Sequence, residues 1–152
     1  MELSEEITIP APRDRVYAAL NDPEILQASI PGCEELIKHS DTELEAKVVL
    51  KVGPVKARFG GKVTLDRSKA PDEFSLSGEG SGGAAGFAKG GAVVQLEDRG
   101  AETLLRYEAR ADIGGKIAQL GSRLITGTAK KLAAKFFTNF SEQVAAREAK
   151  DG

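Results

Sequence analysis

Residues 102–147, ETLLRYEARADIGGKIAQLGSRLITGTAKKLAAKFFTNFSEQVAAR, contain a change of hydrophobic period that decides the fold. In Glu102–Asp112 apolar and polar residues alternate, as in a strand with one buried face. From Gly115 to Arg147 the apolar spacing becomes three to four residues, which predicts one long helix. The chain is therefore expected to end in a strand followed by a long helix.

The residues before this stretch predict a strand, two short helices and a run of antiparallel hairpins. Pro12 opens the first short helix and Asp22-Pro23 caps the second. Turns are predicted at Ser40-Asp41, Gly53-Pro54 and Pro71-Asp72. The predicted helices are Arg13–Asn21 and Pro23–Ser29. The predicted strands are Leu3–Ile9, Cys33–His39, Glu43–Lys51, Val55–Asp66 and one strand on each side of a glycine-rich turn.

An antiparallel sheet with one apolar face must cover that face. The long C-terminal helix is the only predicted element large enough to do so. The predicted fold class is therefore α+β, a curved antiparallel sheet wrapped on the helix, with the two short helices closing one end. The 152 residues contain no linker or internal repeat, so a single domain over residues 1–152 is expected.

Composition and charge exclude several classes of protein. The chain is 41% hydrophobic and 29% charged with net charge −2, which indicates a globular protein and no nucleic-acid partner. A single cysteine, Cys33, excludes an internal disulfide and fits a reducing compartment. The start, MELSEEITIPAPRD, does not read as a secretory signal, and no stretch reaches the ~18 apolar residues of a membrane span. A cytoplasmic location is expected.

Residues 75–96, SLSGEGSGGAAGFAKGGAVVQL, are rich in glycine, and residues 78–83 spell G-x-G-x-x-G. A dinucleotide-binding loop needs a helix after these glycines, whereas a strand-like segment, Val93–Leu96, follows here. The dinucleotide interpretation is therefore rejected.

The register of this stretch points to another role for its glycines. If Phe74 and Leu76 face inward, the next inward positions are Gly78, Gly80 and Gly82. Glycines there either help to open a cavity or only let the sheet bend, and both interpretations stay open.

The long helix carries apolar rows and a cationic stripe. The first row is Ile113, Ile117, Leu120 and Leu124, and the second is Ile125, Ala129, Leu132, Phe136 and Phe140, with the shift between them near Gly127. Lys116, Arg123 and Lys130 follow one another at intervals of seven residues, in a segment without acidic residues. Such a stripe is either a solvated outer face or a contact to an anionic membrane surface.

Residues with catalytic or metal-binding chemistry are not grouped in the sequence. His39 lies in a polar turn without a nearby nucleophile, Cys33 has no metal-ligand spacing, and Glu34-Glu35 does not form a carboxylate pair. Neither a catalytic residue nor a metal site is predicted.

Several short strings resemble the CoxG family, the G subunit of carbon monoxide dehydrogenase, within the START-like (SRPBCC), helix-grip superfamily. Their order and spacing carry the resemblance more than any one of them. They are PGCEEL at 31–36, VGPVK at 52–56, GFAKG at 86–90, GGKIAQLGSRLI at 114–125 and KFF at 135–137.

The resemblance implies a helix-grip fold with a hydrophobic cavity between sheet and helix. It also implies a non-catalytic accessory protein for a molybdenum-containing hydroxylase of the carbon monoxide dehydrogenase type. The expected ligand is a lipophilic small molecule, a quinone or lipid, with no other cofactor, and the expected location is peripheral at the inner membrane surface.

On this basis the walls of the cavity are predicted to include inward apolar residues and the three glycines. They are Phe59, Phe74, Leu76, Gly78, Gly80, Gly82, Phe87, Val94, Tyr107, Leu120, Leu124 and Phe136. Lys116, Arg123 and Lys130 are predicted to contact anionic headgroups or an acidic partner.

Two alternatives remain at this point. The first is a cavity enzyme of the polyketide cyclase or hydrolase type, which needs a polar dyad such as Tyr107 with Glu34 or Lys89. The second is a pure assembly factor with a collapsed interior.

Overall fold

The computed structural model describes residues 1–151 and confirms the predicted α+β architecture. One antiparallel sheet of seven strands curves around a long C-terminal helix, and two short helices follow the first strand. In chain order the elements are β1 (Glu2–Ile9), α1 (Arg13–Leu20), α2 (Pro23–Ser29), β2 (Cys33–Lys38), β3 (Glu43–Val52), β4 (Val55–Asp66), β5 (Glu73–Ser81), β6 (Phe87–Arg99), β7 (Glu102–Gly114) and α3 (Ser122–Asp151).

The strand order is β1-β7-β6-β5-β4-β3-β2, so β1 and β2 form the two edges. Each neighbouring pair is antiparallel, and five of the six pairs are consecutive in the chain. This meander follows from the short turns, because a hairpin places consecutive strands side by side. The face toward α3 is called the inner face here and the opposite face the outer face.

The core is packed most tightly where α1, α2 and the C-terminal half of α3 meet β1, β6 and β7. Phe140 on α3 and Ile9 on β1 are both completely buried, and Val144 is 2% exposed. The Asn139 side chain donates a 3.1 Å hydrogen bond to the Ser29 carbonyl, which ties α3 to α2. Full burial of each large apolar side chain contributes about 1.5–3 kcal/mol, so this packed half dominates the stability of the fold.

The long helix does not begin at Gly115 as predicted. A short 3-10 turn, Lys116–Leu120, comes first, and Gly121 separates it from α3 with a φ of +95°. A positive φ interrupts the helical hydrogen-bond ladder, and glycine adopts it without a steric penalty. The first apolar row is therefore divided among β7, the 3-10 turn and α3, and the interruption lies at Gly121, since α3 continues through Gly127.

None of the helices in residues 1–151 combines the length and the apolar character that crossing a bilayer requires.

Candidate functional site: an apolar hollow between sheet and helix

The inner face of β2–β5 is only partly covered. Phe59, Val63 and Leu65 on β4 face inward yet remain half-buried, in contrast to Leu105 and Tyr107 on β7, which are buried. On the first half of α3, Ile125 and Leu132 are half-buried as well. Apolar side chains on both the sheet and the helix therefore keep contact with solvent in the space between these two surfaces. This space is called the hollow.

A group of inward positions at the centre of the sheet carries only glycine or alanine. Register places Val63 of β4 beside Gly78 of β5, and Gly78 in turn beside Gly90 of β6. Side chains of this size leave the volume above the sheet empty. The inward positions concerned are Ala46, Gly61, Gly78, Gly80, Ala88, Gly90 and Ala92.

The three glycines singled out in the sequence serve three different purposes. A Cβ at Gly80 would have only atoms of neighbouring β4, the Gly60 oxygen and the Gly61 Cα, within 4 Å, so the space above it is open. A Cβ at Gly78 would lie 2.8 Å from the Lys62 carbonyl oxygen, so that glycine permits close approach of two strands. Open space at Gly80 and close approach of two strands at Gly78 therefore occur side by side in this stretch.

Gly82 makes room for an aromatic ring. A Cβ there would lie 2.5 Å from Cε1 of Phe59, so the ring of this half-buried phenylalanine lies over the glycine. Phe59 thus borders the hollow at the end where β4 and β5 approach the 3-10 turn Gly83–Ala85.

Several predicted wall residues lie at the boundary between the hollow and the packed half. Phe74 is 8% exposed and makes an edge-to-face contact with Tyr17, with ring centroids 5.8 Å apart. Val94 and Tyr107 are equally well buried, whereas Leu76 and Phe136 are half-buried. Phe74, Val94 and Tyr107 therefore belong to the packed core, whereas Leu76 and Phe136 pack against it and remain partly exposed.

Phe87 does not belong to the wall. It lies on the outer face, 53% exposed, and pairs in register with Ser81 and Gly114. Its ring rests against Gly114, where a Cβ would collide with it. The outward position of Phe87 follows from strict alternation along β6, because Val94 faces inward and a residue seven positions earlier must then face outward.

Leu120 and Leu124 lie beside the turn between β3 and β4. A Cβ at Gly53, in the turn between β3 and β4, would lie 2.7 Å from Cδ2 of Leu124 and 4.0 Å from Cδ1 of Leu120. Leu120 is half-buried and Leu124 is 38% exposed. The contact between the Gly53 turn and these two leucine side chains is called the seam.

A hydrogen-bonded pair of polar side chains lies on the inner face at the opposite edge of the sheet. The Tyr107 hydroxyl donates to the Glu5 carboxylate at 3.1 Å, and the ring stacks on Phe137 with centroids 5.5 Å apart. Burial, reinforced by the neighbouring Glu5 carboxylate, raises the pKa of Tyr107 to about 12. Tyr107 is therefore a hydrogen-bond donor throughout the physiological pH range.

The structure does not bring Tyr107 together with the two partners suggested by the sequence. Glu34 forms an ion pair with Arg58 on the outer face at 2.6 Å, and Lys89 is exposed on the same face. A bulge between Cys33 and Glu35 shifts the register of β2 and leaves both glutamates exposed. The Glu5 partner was missed because β1 pairs with β7, a contact between residues far apart in the chain.

The predicted cations do not form one helical stripe. Lys116 lies in the 3-10 turn, while Arg123 and Lys130 lie on α3. All three side chains are exposed, and none forms an ion pair within the described part of the chain.

The residues considered for catalysis or metal binding are dispersed. His39 is exposed, with Nε2 3.6 Å from a Glu45 carboxylate oxygen. Cys33 is half-buried, and burial raises the pKa of its thiol, which keeps it protonated. Among the residues that the structure describes, His, Cys, Asp and Glu side chains form no group of three or more that could hold a metal ion.

Known structures share this fold. A conserved protein from Geobacillus kaustophilus is 28% identical, covers 96% of both chains and superposes with a TM-score of 0.89. A START superfamily protein from Mycobacterium smegmatis is 12% identical, covers 95% of this chain and 97% of its own, and gives 0.72. The Zhui aromatase/cyclase from Streptomyces sp. R1128 is also 12% identical, covers 97% and 94%, and gives 0.65. The last two likenesses show the helix-grip fold alone.

Comparison of the sequence with protein-family models identifies the family of this chain. None of the curated protein sequences matches the chain. The family model for the G subunit of carbon monoxide dehydrogenase (CoxG) matches residues 6–145, from β1 to the last turns of α3. A match over this span includes β2–β7, the second half of β1 and most of α3, and the chain therefore belongs to the CoxG family.

Proposed function

We propose that this chain is a non-catalytic accessory protein that holds a lipophilic ligand in the hollow. The observation that supports this most strongly is the pair of half-buried apolar surfaces on β4 and α3 with a glycine- and alanine-lined sheet between them. Apolar surface left partly in contact with water favours occupation by an apolar guest.

A quinone with an isoprenoid tail is the proposed ligand. Burial of a methylene-sized group is worth ~0.8 kcal/mol, so a tail that buries six of them gains ~5 kcal/mol without any polar contact. The hollow suits such a tail because its inner wall is made of aliphatic and aromatic side chains such as Phe59, Leu76 and Phe136. The enzyme that this accessory protein is proposed to serve is a molybdenum hydroxylase of the carbon monoxide dehydrogenase type, by analogy with the name of the family.

Contact with a membrane or with the partner enzyme is assigned to exposed cations. Lys116, Arg123 and Lys130 have no carboxylate partner within the described residues and are free to meet anionic headgroups or an acidic protein surface. The protein would then act peripherally at the inner membrane surface.

A second candidate is a cavity enzyme of the cyclase or hydrolase type, and the Tyr107–Glu5 pair is the observation that favours it. Two features weigh against it. Tyr107 is 7% exposed and stacked on Phe137, and its raised pKa of about 12 disfavours the phenolate that general-base chemistry would need. The half-buried lining also argues against an assembly factor with a collapsed interior.

Two glycines on neighbouring strands provide a matched test. Gly80 faces the hollow, and Gly60 faces outward, where an added Cβ would have no atom within 4 Å. Gly80→Leu fills the hollow, whereas Gly60→Leu adds the same side chain to the solvent face. Binding of decylubiquinone is measured by titration calorimetry, and native mass spectrometry gives its stoichiometry.

Wild type and Gly60→Leu are expected to bind one decylubiquinone, and Gly80→Leu is expected to lose at least tenfold in affinity. Thermal melts of all three proteins establish that they are folded. Absence of quinone uptake by the wild type, or equal affinity in both variants, would remove the hollow as the ligand site.

A further inference from the structure

The two edge strands of the sheet differ in how well they are protected from pairing with another chain. β2 is six residues long, contains the bulge between Cys33 and Glu35, and has the Glu34 carbonyl bound by the Gln27 side chain of α2 at 3.1 Å. A short edge, a bulge and a covering helix are usual means of blocking further strand addition. β1 is eight residues long and pairs with β7 in unbroken register from Glu2 to Ile9. The β1 edge is therefore the less protected of the two.

Alternate residues of β1 direct their backbone groups to the free edge. The Met1 nitrogen donates to the Ala111 carbonyl and the Ala111 amide donates to the Met1 carbonyl, both at 2.9 Å. Because hydrogen-bonded pairs alternate in an antiparallel ladder, the odd-numbered residues of β1 bond to β7 and the even-numbered ones face away from it. The even-numbered residues are all exposed and have no backbone partner within residues 1–151: Glu2, Ser4, Glu6 and Thr8.

Carboxylates line this edge. The side chains of Glu2 and Glu6 lie on the outer face and are 72% and 60% exposed, and Glu5 lies between them on the inner face. Arg110 contacts Glu2 at 3.2 Å and Arg106 contacts Glu6 at 3.0 Å, whereas Glu5 forms no ion pair among the described residues. The edge therefore retains an excess of negative charge.

These glutamates oppose pairing of the β1 edge with the β1 edge of a second copy. Antiparallel pairing of two copies must set even-numbered residues opposite even-numbered residues, because only these have free backbone groups. The two such registers that pair seven residues of the strand place Glu5 opposite Glu5 or Glu6 opposite Glu6. Like charges directly opposite each other destabilise a strand pair. The edge is therefore matched to a chain of opposite charge.

The inner face of β1 adds an apolar component. Leu3 is 8% exposed, while Ile7 packs against the core and stays half-buried. A strand added beside β1 places every second side chain on this face. Apolar side chains at those positions cover the part of Ile7 that is still in contact with water, which favours binding.

We propose that the β1 edge is a docking site for an extended basic segment of another protein, which adds an eighth strand antiparallel to β1. The side chains of this segment opposite Glu2 and Glu6 are cationic, and those opposite Leu3 and Ile7 are apolar. Backbone hydrogen bonds provide affinity, and the side chains fix the register. Three strands, β5 to β7, separate β1 from the hairpin of the seam, so the added strand extends the sheet away from the seam. The docking needs no ligand in the hollow.

A synthetic peptide with blocked ends, TVRKTVR, is the probe. Antiparallel to β1, its first residue lies opposite Thr8 and its last residue opposite Glu2. Its two arginines then lie opposite Glu6 and Glu2, and its two valines opposite Ile7 and Leu3. Two N-methylated versions form a matched pair. Methyl groups on the third and fifth nitrogens block amides that face β1, whereas methyl groups on the fourth and sixth nitrogens block amides that face away. Binding is measured by the fluorescence anisotropy of labelled peptide.

The version methylated on the fourth and sixth nitrogens is expected to bind within about threefold of the parent peptide, and the version methylated on the third and fifth at least about tenfold more weakly, since two backbone hydrogen bonds are lost. Equal affinity of the two methylated versions would overturn the docking. So would a parent peptide that does not saturate the protein by about 1 mM. These assays are made without quinone, so their outcome is independent of whether the hollow binds one.

Two pairs of glutamates distinguish this edge from the opposite one. Glu2→Gln/Glu6→Gln removes two ion-paired carboxylates from β1, and Glu34→Gln/Glu35→Gln removes two ion-paired carboxylates from β2. Both double variants have the same net charge, and thermal melts establish that they are folded. The β1 variant is expected to bind the parent peptide about fivefold more weakly, and the β2 variant within about twofold of the wild type. Equal weakening in both variants would overturn the site, because attraction would then follow net charge alone.

Amide hydrogen exchange locates the bound strand. The amides of Ser4, Glu6 and Thr8 face the free edge, and their exchange is expected to slow at least about tenfold when the peptide binds. The amides of Glu5 and Ile7 face β7 and are expected to change by less than about twofold. Slowing on β2 in place of β1 would overturn the location. Slowing at the same three edge amides without peptide, together with a dimeric mass by light scattering, would overturn the docking in favour of a second copy.

Discussion

The hydroxyl of Tyr107 and the carboxylate of Glu5 lie 3.1 Å apart and join β7 to the edge strand β1 on the inner face of the sheet. The hydrogen bond satisfies a polar atom at a position where the Tyr107 ring is buried against Phe137. A buried donor without a partner is costly, so this contact lets a tyrosine occupy the packed half of the core. It also fixes β1, whose other edge has no neighbouring strand among the described residues.

Tyr107→Phe is expected to lower the free energy of unfolding by about 1–2 kcal/mol, because a hydrogen bond to a charged acceptor is lost while the ring stays packed. Urea denaturation followed by circular dichroism measures the change. Tyr17→Phe, which removes a hydroxyl that accepts a hydrogen bond from Arg67, is the comparison. An unchanged midpoint for Tyr107→Phe would show that the bond to Glu5 contributes nothing to stability.

The raised pKa of Tyr107 makes the stability depend on alkaline pH. The folded-state value of about 12 lies above the ordinary value of 10.0, so the folded protein holds this proton more tightly. The stabilisation is complete below pH 10 and is lost as the pH rises toward 12, by roughly 3 kcal/mol for a shift of this size. Other groups titrate in this window, so the measured quantity is the difference in unfolding free energy between wild type and Tyr107→Phe. That difference should shrink from pH 9 to pH 11.5, and a constant difference would contradict the assignment.

Gly78 and Gly80 are expected to differ although both face the hollow. A Cβ at Gly78 would lie 2.8 Å from a backbone oxygen of β4, and a Cβ at Gly80 would meet its nearest atom at an ordinary 3.5 Å. Gly78→Ala should therefore destabilise the protein by about 1–3 kcal/mol through strain. Gly80→Ala should be neutral or stabilise by about 0.5 kcal/mol, because alanine restricts the unfolded chain. Thermal unfolding measures the stability of both variants. Equal effects of the two substitutions would mean that the sheet bends for a reason other than the missing side chain at Gly78.

The alternation of residues was sufficient to predict the strands and the inner face, but not the points where the chain departs from a regular repeat. Val55–Asp66 was predicted with its final bounds because inward and outward residues alternate through all of it. The start of α3 was not, since Gly121 permits a positive φ without requiring one. The bulge at Cys33/Glu35 was missed for a similar reason, as one extra residue leaves little trace in a short strand.

The sequence also did not predict that the core is filled unequally along the sheet. Phe136 and Phe140 belong to one apolar row, yet one is half-buried and the other completely buried. The difference arises because α1 and α2 cover only one end of the sheet, and the position of these helices depends on tertiary contacts such as the bond from Asn139 to Ser29. A periodic pattern identifies an inward face without showing how far that face is covered.

Phe87 and Phe59 separate the outer face from the wall of the hollow. Phe87→Ser changes an exposed ring, so stability should change by less than about 0.5 kcal/mol and decylubiquinone affinity should stay at the wild-type value. Phe59→Ser removes the ring that lies over Gly82 and should lower both quinone affinity and stability, the latter by about 2–4 kcal/mol since this ring is only half-buried. The two variants exchange the same residue types within one sheet, which makes each the control of the other. Loss of quinone binding in Phe87→Ser, with the fold intact, would place ligand contacts on the outer face and require the hollow to be abandoned as the binding site.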